Sequence, residues 1–509
     1  MRARVVGLGF LASLAAGASL GLAACKSEQK PPDPHSLAAL EAEGPPHTPD
    51  CRSWGDLDFA GLPPLPSGEH VAAFDQVWRT VAQKHYDPTL GCLDWPALRE
   101  QYAAKVAEAG DDTQAAYAAI NELLALLGQS HLHATAPTVS TTRERDTGPA
   151  VVPVQIRWLS VDGDERGAVV VDASVDGHDS GVPRGSILVE VAGESVADVA
   201  NEVAAAVEAR GGRPVEAAFL VTQAIGAMLS CPEGGTKSLA ILDPEDQSRT
   251  LEVACFLPEG ERISLGNLRN LPTTVEWRMI GDPPPGETPP EPEPEPEAKI
   301  GYLAFNFWML PMSERLRDAV AELRERGMQG LVIDLRGNPG GVGAMSIPIA
   351  HMFVEGGTSL GRLQMREFNQ EFTVAPNPSA FTGPIAILVD EGTASTSEIF
   401  ALGMRDIGRV TIVGGGPSAG MALPSMIETL PDGGLIQYVV GDYHSAKGTA
   451  AEGEGVQPDV RVSESRADFA ANRDPVLDAA VGHLIDQVAG RVRDSASAPE
   501  TSAPAPTTP

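Results

Sequence analysis

Three short segments hold residue types that can do covalent chemistry. Ile333-Asp-Leu-Arg-Gly-Asn-Pro-Gly-Gly341 sets a glycine-rich turn directly after an apolar run. Val389-Asp-Glu-Gly-Thr-Ala-Ser-Thr-Ser-Glu-Ile-Phe400 sets small residues between an apolar run and a helical pattern. Ala451-Glu-Gly-Glu-Gly-Val-Gln-Pro-Asp459 is a turn rich in acids. A serine at the start of a helix sits among backbone N–H groups that lack a helical partner and beside the positive end of the helix dipole. Those donors, joined by N–H groups from a second glycine turn, can hold the negative oxygen of a tetrahedral intermediate. Each such donor is worth about 3–4 kcal/mol of barrier. The pattern suits acyl transfer, and a serine used this way needs a base.

The elements that must position these segments are legible as hydrophobic patterns. Residues 300–490 alternate strand and helix. Leu331–Leu335, Ile385–Val389 and Val410–Val413 are continuous apolar runs, as expected for strands buried on both faces, and Met312–Arg326 and Ser397–Arg405 fit helices. This predicts an α/β domain. Residues 69–135 look helical, with Val71, Phe74, Val77, Trp78 and Val81 at helical spacing. In a second helix over 114–127, Thr113 can be the cap and Gly128 the stop. Residues 148–262 are β-rich, with short runs at Val151–Ile156, Ala168–Val171 and Ile187–Val191. The turn from Ser180 to Gly193 resembles the part of a PDZ domain where a glycine-rich turn feeds a strand.

Residues 282–297 hold eight prolines and six acidic residues and read as an extended, solvated loop. It lies between two strand-like runs, Thr274–Ile280 and Ile300–Phe307, so it is either an insertion between two strands of one domain or a domain boundary. The expected organisation is 1–24 signal peptide, 25–68 tether, 69–147 helical region, 148–265 PDZ-like domain, 266–490 α/β core and 491–509 disordered tail.

At the N-terminus, Arg2 and Arg4 precede an apolar run that ends Leu22-Ala-Ala-Cys25, the form of an export signal. This ending resembles a bacterial lipobox, which implies lipidation at Cys25 and a lipid-anchored place in the cell envelope. With Lys26 after the cysteine, the outer membrane is the expected home. Cys51, Cys92, Cys231 and Cys255 then remain. An even number in an exported chain suggests disulfides, and Cys51–Cys92 with Cys231–Cys255 keeps each within one module. The formal net charge is −32, from 37 Lys+Arg against 69 Asp+Glu. Such a surface repels nucleic acid and anionic membranes, so neither is an expected electrostatic partner. No CxxC or HExxH occurs, and no metal or cofactor is expected.

The three chemistry-bearing segments, in this order, resemble the carboxyl-terminal processing peptidase and tricorn-core family of serine peptidases over about residues 70–465. The resemblance implies a crotonase- and ClpP-like α/β peptidase core carrying an N-terminal helical region and a PDZ-like insert. It makes Ser395 the nucleophile, and gives the oxyanion hole to the N–H groups of Thr396 and of Gly340 or Gly341. One branch of the family uses a lysine base in a turn that here reads Gly414–Ala422, and Gly420 stands where that lysine belongs, so a Ser/Lys dyad is excluded. The tricorn branch uses a Ser-His pair and a glutamate, matched by Ser130, His131 and Glu452. His133 reads as a neighbour, His444 as surface, Lys447 (between Ser395 and Glu452 in sequence) as a weak candidate for a catalytic lysine, Ser397 and Glu398 as helix caps and packing, and Asp334 with Arg336 as an ion pair fixing the glycine turn. The chain departs from the family at Gln129 and Gly415.

Two functions follow as expectations. The first is an envelope serine endopeptidase acting on polypeptides, with the insert binding substrate C-termini. The alternative is an inactive relative that binds peptides or proteins. The oligomeric state is left open.

Overall fold

The structure is a computed structural model that describes residues 46–137, 148–162, 165–265, 268–282 and 298–497. The expected signal peptide, the Cys25 lipidation site and the acidic Pro-rich stretch 283–297 lie outside the described residues. Among the described helices none is long and apolar enough to cross a membrane.

The N-terminal part is helical: α1 (Val71–Lys84), α2 (Trp95–Glu108) and α3 (Thr113–Ala125). The cap of α3 is Asp112, not Thr113, which is the first helical residue. The Asp112 carboxylate accepts from the N–H groups of Gln114 and Ala115, and a carboxylate serves the positive helix end better than a hydroxyl. Gly128 ends the segment with φ +60°. Residues expected to be tether are in part folded. Trp54 is buried and donates Nε1–H to Leu93 O at 2.9 Å, and Cys51 is bonded to Cys92.

Strand β1 (His133–Thr135) leaves this region and pairs with a strand near the other end of the chain, as described below. The insert follows as β2 (Gln155–Asp162), β3 (Glu165–Asp172), β4 (Ile187–Val191), α4 (Val196–Ala209), α5 (Pro214–Met228), β5 (Thr236–Leu242) and β6 (Ser248–Ala254). The run expected at 151–156 is split, because Pro153 lacks the N–H that a continuing ladder needs. The insert's sheet has the order β6-β5-β4-β3-β2, and both helices contribute to its apolar core. Cys231 bonds Cys255 inside this module.

The core sheet runs β7 (Val275–Met279), β8 (Ile300–Phe305), β9 (Gly330–Asp334), β10 (Ile385–Val389), β11 (Thr411–Gly414), with the short β14 (Val460–Arg461) on the far edge. β7 is antiparallel to β8 and all other pairs are parallel. The acidic Pro-rich stretch therefore joins two neighbouring strands of one sheet. β8 to β10 are buried throughout, which is why their residues read as unbroken apolar runs. Helices α6 (Met312–Glu325) and α7 (Thr396–Asp406) contribute to the core cluster on one face, and α8 (Pro475–Ser497) packs on the other.

Two boundaries shift. The hairpin Glu261–Leu265 with Leu268–Thr273 places Ile263 and Leu271 in the α/β core, so the division expected at 265/266 cuts through a packed unit. α8 continues to Ser497, past the expected start of the tail.

One further sheet decides where the chemistry meets. β12 (Ser425–Thr429) and β13 (Leu435–Val439) form a hairpin, and β1 adds to it through His133↔Gln437. Helices α1 to α3 share one apolar cluster with Leu423, Leu430, Ile436, Tyr438 and Val439 of this hairpin region. The N-terminal helices are thereby docked on a hairpin that follows the segment of Ser395, hundreds of residues away in sequence.

Candidate active site

Ser395 stands at the turn between β10 and α7, with φ +56° and ψ −120°. A non-glycine residue held in that region is strained, a state found where surrounding bonds over-determine it. Here they do. The Ser395 N–H donates to Met421 O at 3.0 Å and to Glu398 Oε2 at 3.0 Å. Ala394 N–H donates to Asn338 O at 3.0 Å. Apolar packing adds Phe219 and Leu220 of α5 and Val207 of α4 against Ala394, Ala419 and Met421.

The glycine turn after β9 lies against this serine. A β-carbon at Gly340 would be 2.6 Å from Ser395 Cβ and 2.9 Å from Thr396 N. The turn is held by its own residues. Asp334 and Arg336 form the expected ion pair, and Arg336 also binds Asp474, the residue just before α8, at 2.8 Å. Gly337 N–H donates to Asp390 Oδ1 at 2.8 Å. The Gly340 N–H donates to Asn338 Oδ1 at 3.0 Å, so of the two glycines expected to supply an oxyanion donor, Gly340 has its N–H engaged. Gly341 bridges Trp308: Trp308 N–H donates to Gly340 O, and Val342 N–H to Trp308 O. In that pattern the N–H of Gly341 itself points away from Trp308. Its carbonyl accepts from Thr396 Oγ1 at 3.0 Å, which locks the turn onto the first residue of α7.

Ser130, His131 and Glu452 come together on the other side of the turn 418–422. Ser130 donates N–H to Glu452 Oε1 at 3.1 Å and O–H to Glu452 Oε2 at 2.9 Å. Ser130 Oγ lies 3.0 Å from His131 Nδ1. With Glu452 ionised, the one hydroxyl proton of Ser130 goes to it and the imidazole donates its Nδ1–H, which leaves Nε2 with a free lone pair. Ala422 N–H adds a third bond to Glu452 at 2.9 Å. Burial pushes Glu452 up to about 7, with Glu216 adding to the effect. Burial, helped by His133, pushes His131 down to about 4, so the imidazole is neutral around pH 7.

Among the described residues no hydrogen bond joins Ser395 Oγ to His131. The two halves are connected through backbone: Ser395 N–H to Met421 O on one side, Ala422 N–H to Glu452 on the other. Catalytic hydrogen bonds are often long before substrate binds.

The remaining candidates fall elsewhere. Gly420 has no room for a long side chain: a β-carbon there meets Val215 Cγ2 at 2.8 Å and Gly455 N at 3.1 Å. His444 is 3.9 Å from Asp442, and Lys447 is exposed. Gln129 binds His85 Nε2 at 2.6 Å and serves structure. Gly415 leaves room that the Glu464 carboxylate fills, and Glu464 binds Arg157 of the insert at 3.0 Å. Among the described residues no cluster of three or more His, Cys, Asp or Glu is arranged to hold a metal ion.

Sequence reasoning missed Asn338 and Arg157 as organisers of the site. Asn338 sits inside the glycine motif and its turn chemistry was visible. Arg157 binds Glu391 at 2.9 Å and Asp390 at 3.4 Å beside the nucleophile's loop, and no local pattern on its strand signals this.

Peptidase family S41 matches residues 299–462, and the tricorn protease C1 domain matches residues 66–118. The chloroplastic C-terminal processing peptidase of Tetradesmus obliquus is 25% identical over 406 residues, covering 79% of this chain and 79% of its own length. The carboxyl-terminal-processing protease of Synechocystis sp. is 24% identical over 431 residues, covering 83% and 88%. In fold, the chain is similar to the photosystem II D1 C-terminal processing protease, with a TM-score of 0.50 at 21% identity over 78% of this chain and 94% of that one. It is similar also to mature CPAF, with a TM-score of 0.54 at 14% identity over 82% and 98%. Residues 299–462 thus carry the match to peptidase family S41 and residues 66–118 the match to the tricorn C1 domain, and the chain is a serine peptidase similar to the carboxyl-terminal processing proteases.

Proposed function

We propose that this serine peptidase is an endopeptidase in which Ser395 is the nucleophile and His131 its general base. The observation that carries the reading is the chain of bonds from Glu452 through Ser130 to His131, set beside a serine that opens a helix. Ser395 Oγ attacks the peptide carbonyl carbon while His131 Nε2 takes its proton. The imidazolium keeps donating its Nδ1–H to Ser130 Oγ, whose own O–H keeps donating to the Glu452 carboxylate. The negative oxygen is held by the N–H groups of Gly341 and Thr396. His131 then protonates the leaving amine. Water, deprotonated by the same imidazole, hydrolyses the acyl-enzyme and frees Ser395.

Further parts of the reading rest on other features. The lipobox-like Leu22–Cys25 and the two disulfides support a chain exported and anchored at the envelope. A β-rich insert whose sheet ends on β2, with α5 beside it, supports capture of a substrate C-terminus by strand addition.

Acylation by a fluorophosphonate, read alongside casein digestion, tests the catalytic assignment. Both are expected in the wild type and lost in Ser395→Ala and His131→Ala. Full acylation of the His131 variant overturns the assignment. Palmitate labelling lost in Cys25→Ala tests the anchor. Binding of a peptide with a free C-terminus but not its amide tests the insert.

A further inference from the structure

One buried carboxylate near Ser395 has no part in the proton relay. Glu398 is fully buried one turn into α7. Its Oε2 accepts the N–H groups of Ser395 at 3.0 Å and Met421 at 2.9 Å. Its Oε1 accepts Gly420 N–H at 2.7 Å and Ser418 O–H at 2.5 Å. Four donors thus meet two oxygens, and among the described residues no cation pairs with this side chain. The charged groups on the segments packed around it are Asp390 and Glu391 before Ser395, Glu452 and Glu454 on the acidic turn, and Arg213 and Glu216 at the start of α5. None of them bonds Glu398.

The turn that Glu398 grips is the same one whose Ala422 N–H grips Glu452. One carboxylate therefore fastens the turn to the nucleophile and another fastens it to the base. Resting on the assignment of Ser395 and His131 above, we infer that ionised Glu398 is the positioning residue that sets the approach of Ser395 to His131, and that its protonation disengages the site.

The physical reason is a count of donors and acceptors. An ionised carboxylate is acceptor-only and serves all four donors. A proton on Oε2 faces the Met421 N–H, for which the described residues show no other acceptor, and a proton on Oε1 must reverse the Ser418 bond, whose hydroxyl already accepts Val456 N–H at 2.6 Å. Either way a donor at this buried carboxyl loses its partner, which is costly enough to move the turn. Burial pushes Glu398 up to about 7, which places this change within the working range of most peptidases.

The test is the pH profile of kcat for the full chain on a peptide substrate. In the wild type, kcat falls below about pH 7 with a slope nearer two protons than one, because Glu398 and Glu452 both need to be ionised. In Glu398→Gln the amide nitrogen cannot accept. There kcat falls roughly tenfold or more with little change in KM, and the slope drops towards one. In Ser418→Ala the carboxylate stays but loses a donor that favours its charge, so the acid limb moves to higher pH. A Glu398→Gln enzyme with wild-type kcat and slope overturns the inference. If that variant does not fold, an unmoved acid limb in Ser418→Ala overturns it. A wild type that is not acylated at Ser395 overturns the catalytic assignment instead, so the two failures are distinguishable.

Discussion

Gly340 approaches Ser395 so closely that a β-carbon at 340 would stand 2.6 Å from that of the serine. The glycine turn and the nucleophile's helix are therefore one packed unit. The contact is possible because position 340 has no side chain and takes φ +97°. Gly340→Ala is expected to lower stability by about 1–3 kcal/mol through overpacking and to reduce kcat strongly. Denaturant unfolding and peptide hydrolysis measure the two effects. Wild-type values in both would show that the turn can yield.

Removing the serine between His131 and Glu452 tests the relay. Ser130→Ala leaves the His131 Nδ1–H and the Glu452 carboxylate without their shared partner. A fall in kcat of about 10²–10⁴ is expected, with KM little changed, since general-base assistance is of that size. The Ser395 acylation rate reads the same loss directly.

Stability should also report the buried acid of the relay. Glu452 is raised from 4.5 to about 7, so the folded state holds this proton more tightly than the unfolded chain does. Its contribution is fully present below about pH 4.5 and is lost as pH rises through 7. His131 runs the other way: lowered from 6.5 to about 4, it withdraws stability as pH falls through that window. Because His131 gains and Glu398 loses stability over the same window, the effect is read as a difference: with rising pH between 4.5 and 7, Glu452→Gln should lose less stability, or gain more, than the wild type by the slope of one proton. Urea unfolding as a function of pH checks the sign, and an unchanged slope in Glu452→Gln refutes it.

Arg157 is the tie between insert and core. It is buried and shared by Asp390, Glu391 and Glu464. Arg157→Met strands three carboxylates and should destabilise by about 3–5 kcal/mol. Adding Glu464→Gln removes one stranded charge and should recover part of the loss. A double variant no more stable than the single one would contradict the network.

Much of the core was legible because its strands are buried on both faces. The runs read at 331–335 and 385–389 match β9 and β10 to within a residue. Periodicity said less at the edges. Pro153 split a strand, Asp112 rather than Thr113 capped a helix, and Trp54 drew part of the expected tether onto the helices. Each was decided by a single hydrogen-bonding group, which a pattern of apolar residues does not weigh.

For the site, residue types and order pointed to a serine at a helix start and a glycine turn, and the family resemblance of the sequence pointed to a Ser-His pair and a glutamate. Tertiary structure alone decided how they meet. Ser130 and Glu452 are 322 residues apart in sequence and 2.9 Å apart in space because β1 adds to the β12–β13 hairpin. It also decided that the Gly340 N–H is already engaged and that Glu398 grips the backbone N–H of Ser395. Sequence carries donors and acceptors as a list. Which donor faces which acceptor is set by long-range packing, where one turn of backbone, residues 418–422, holds both halves of the site.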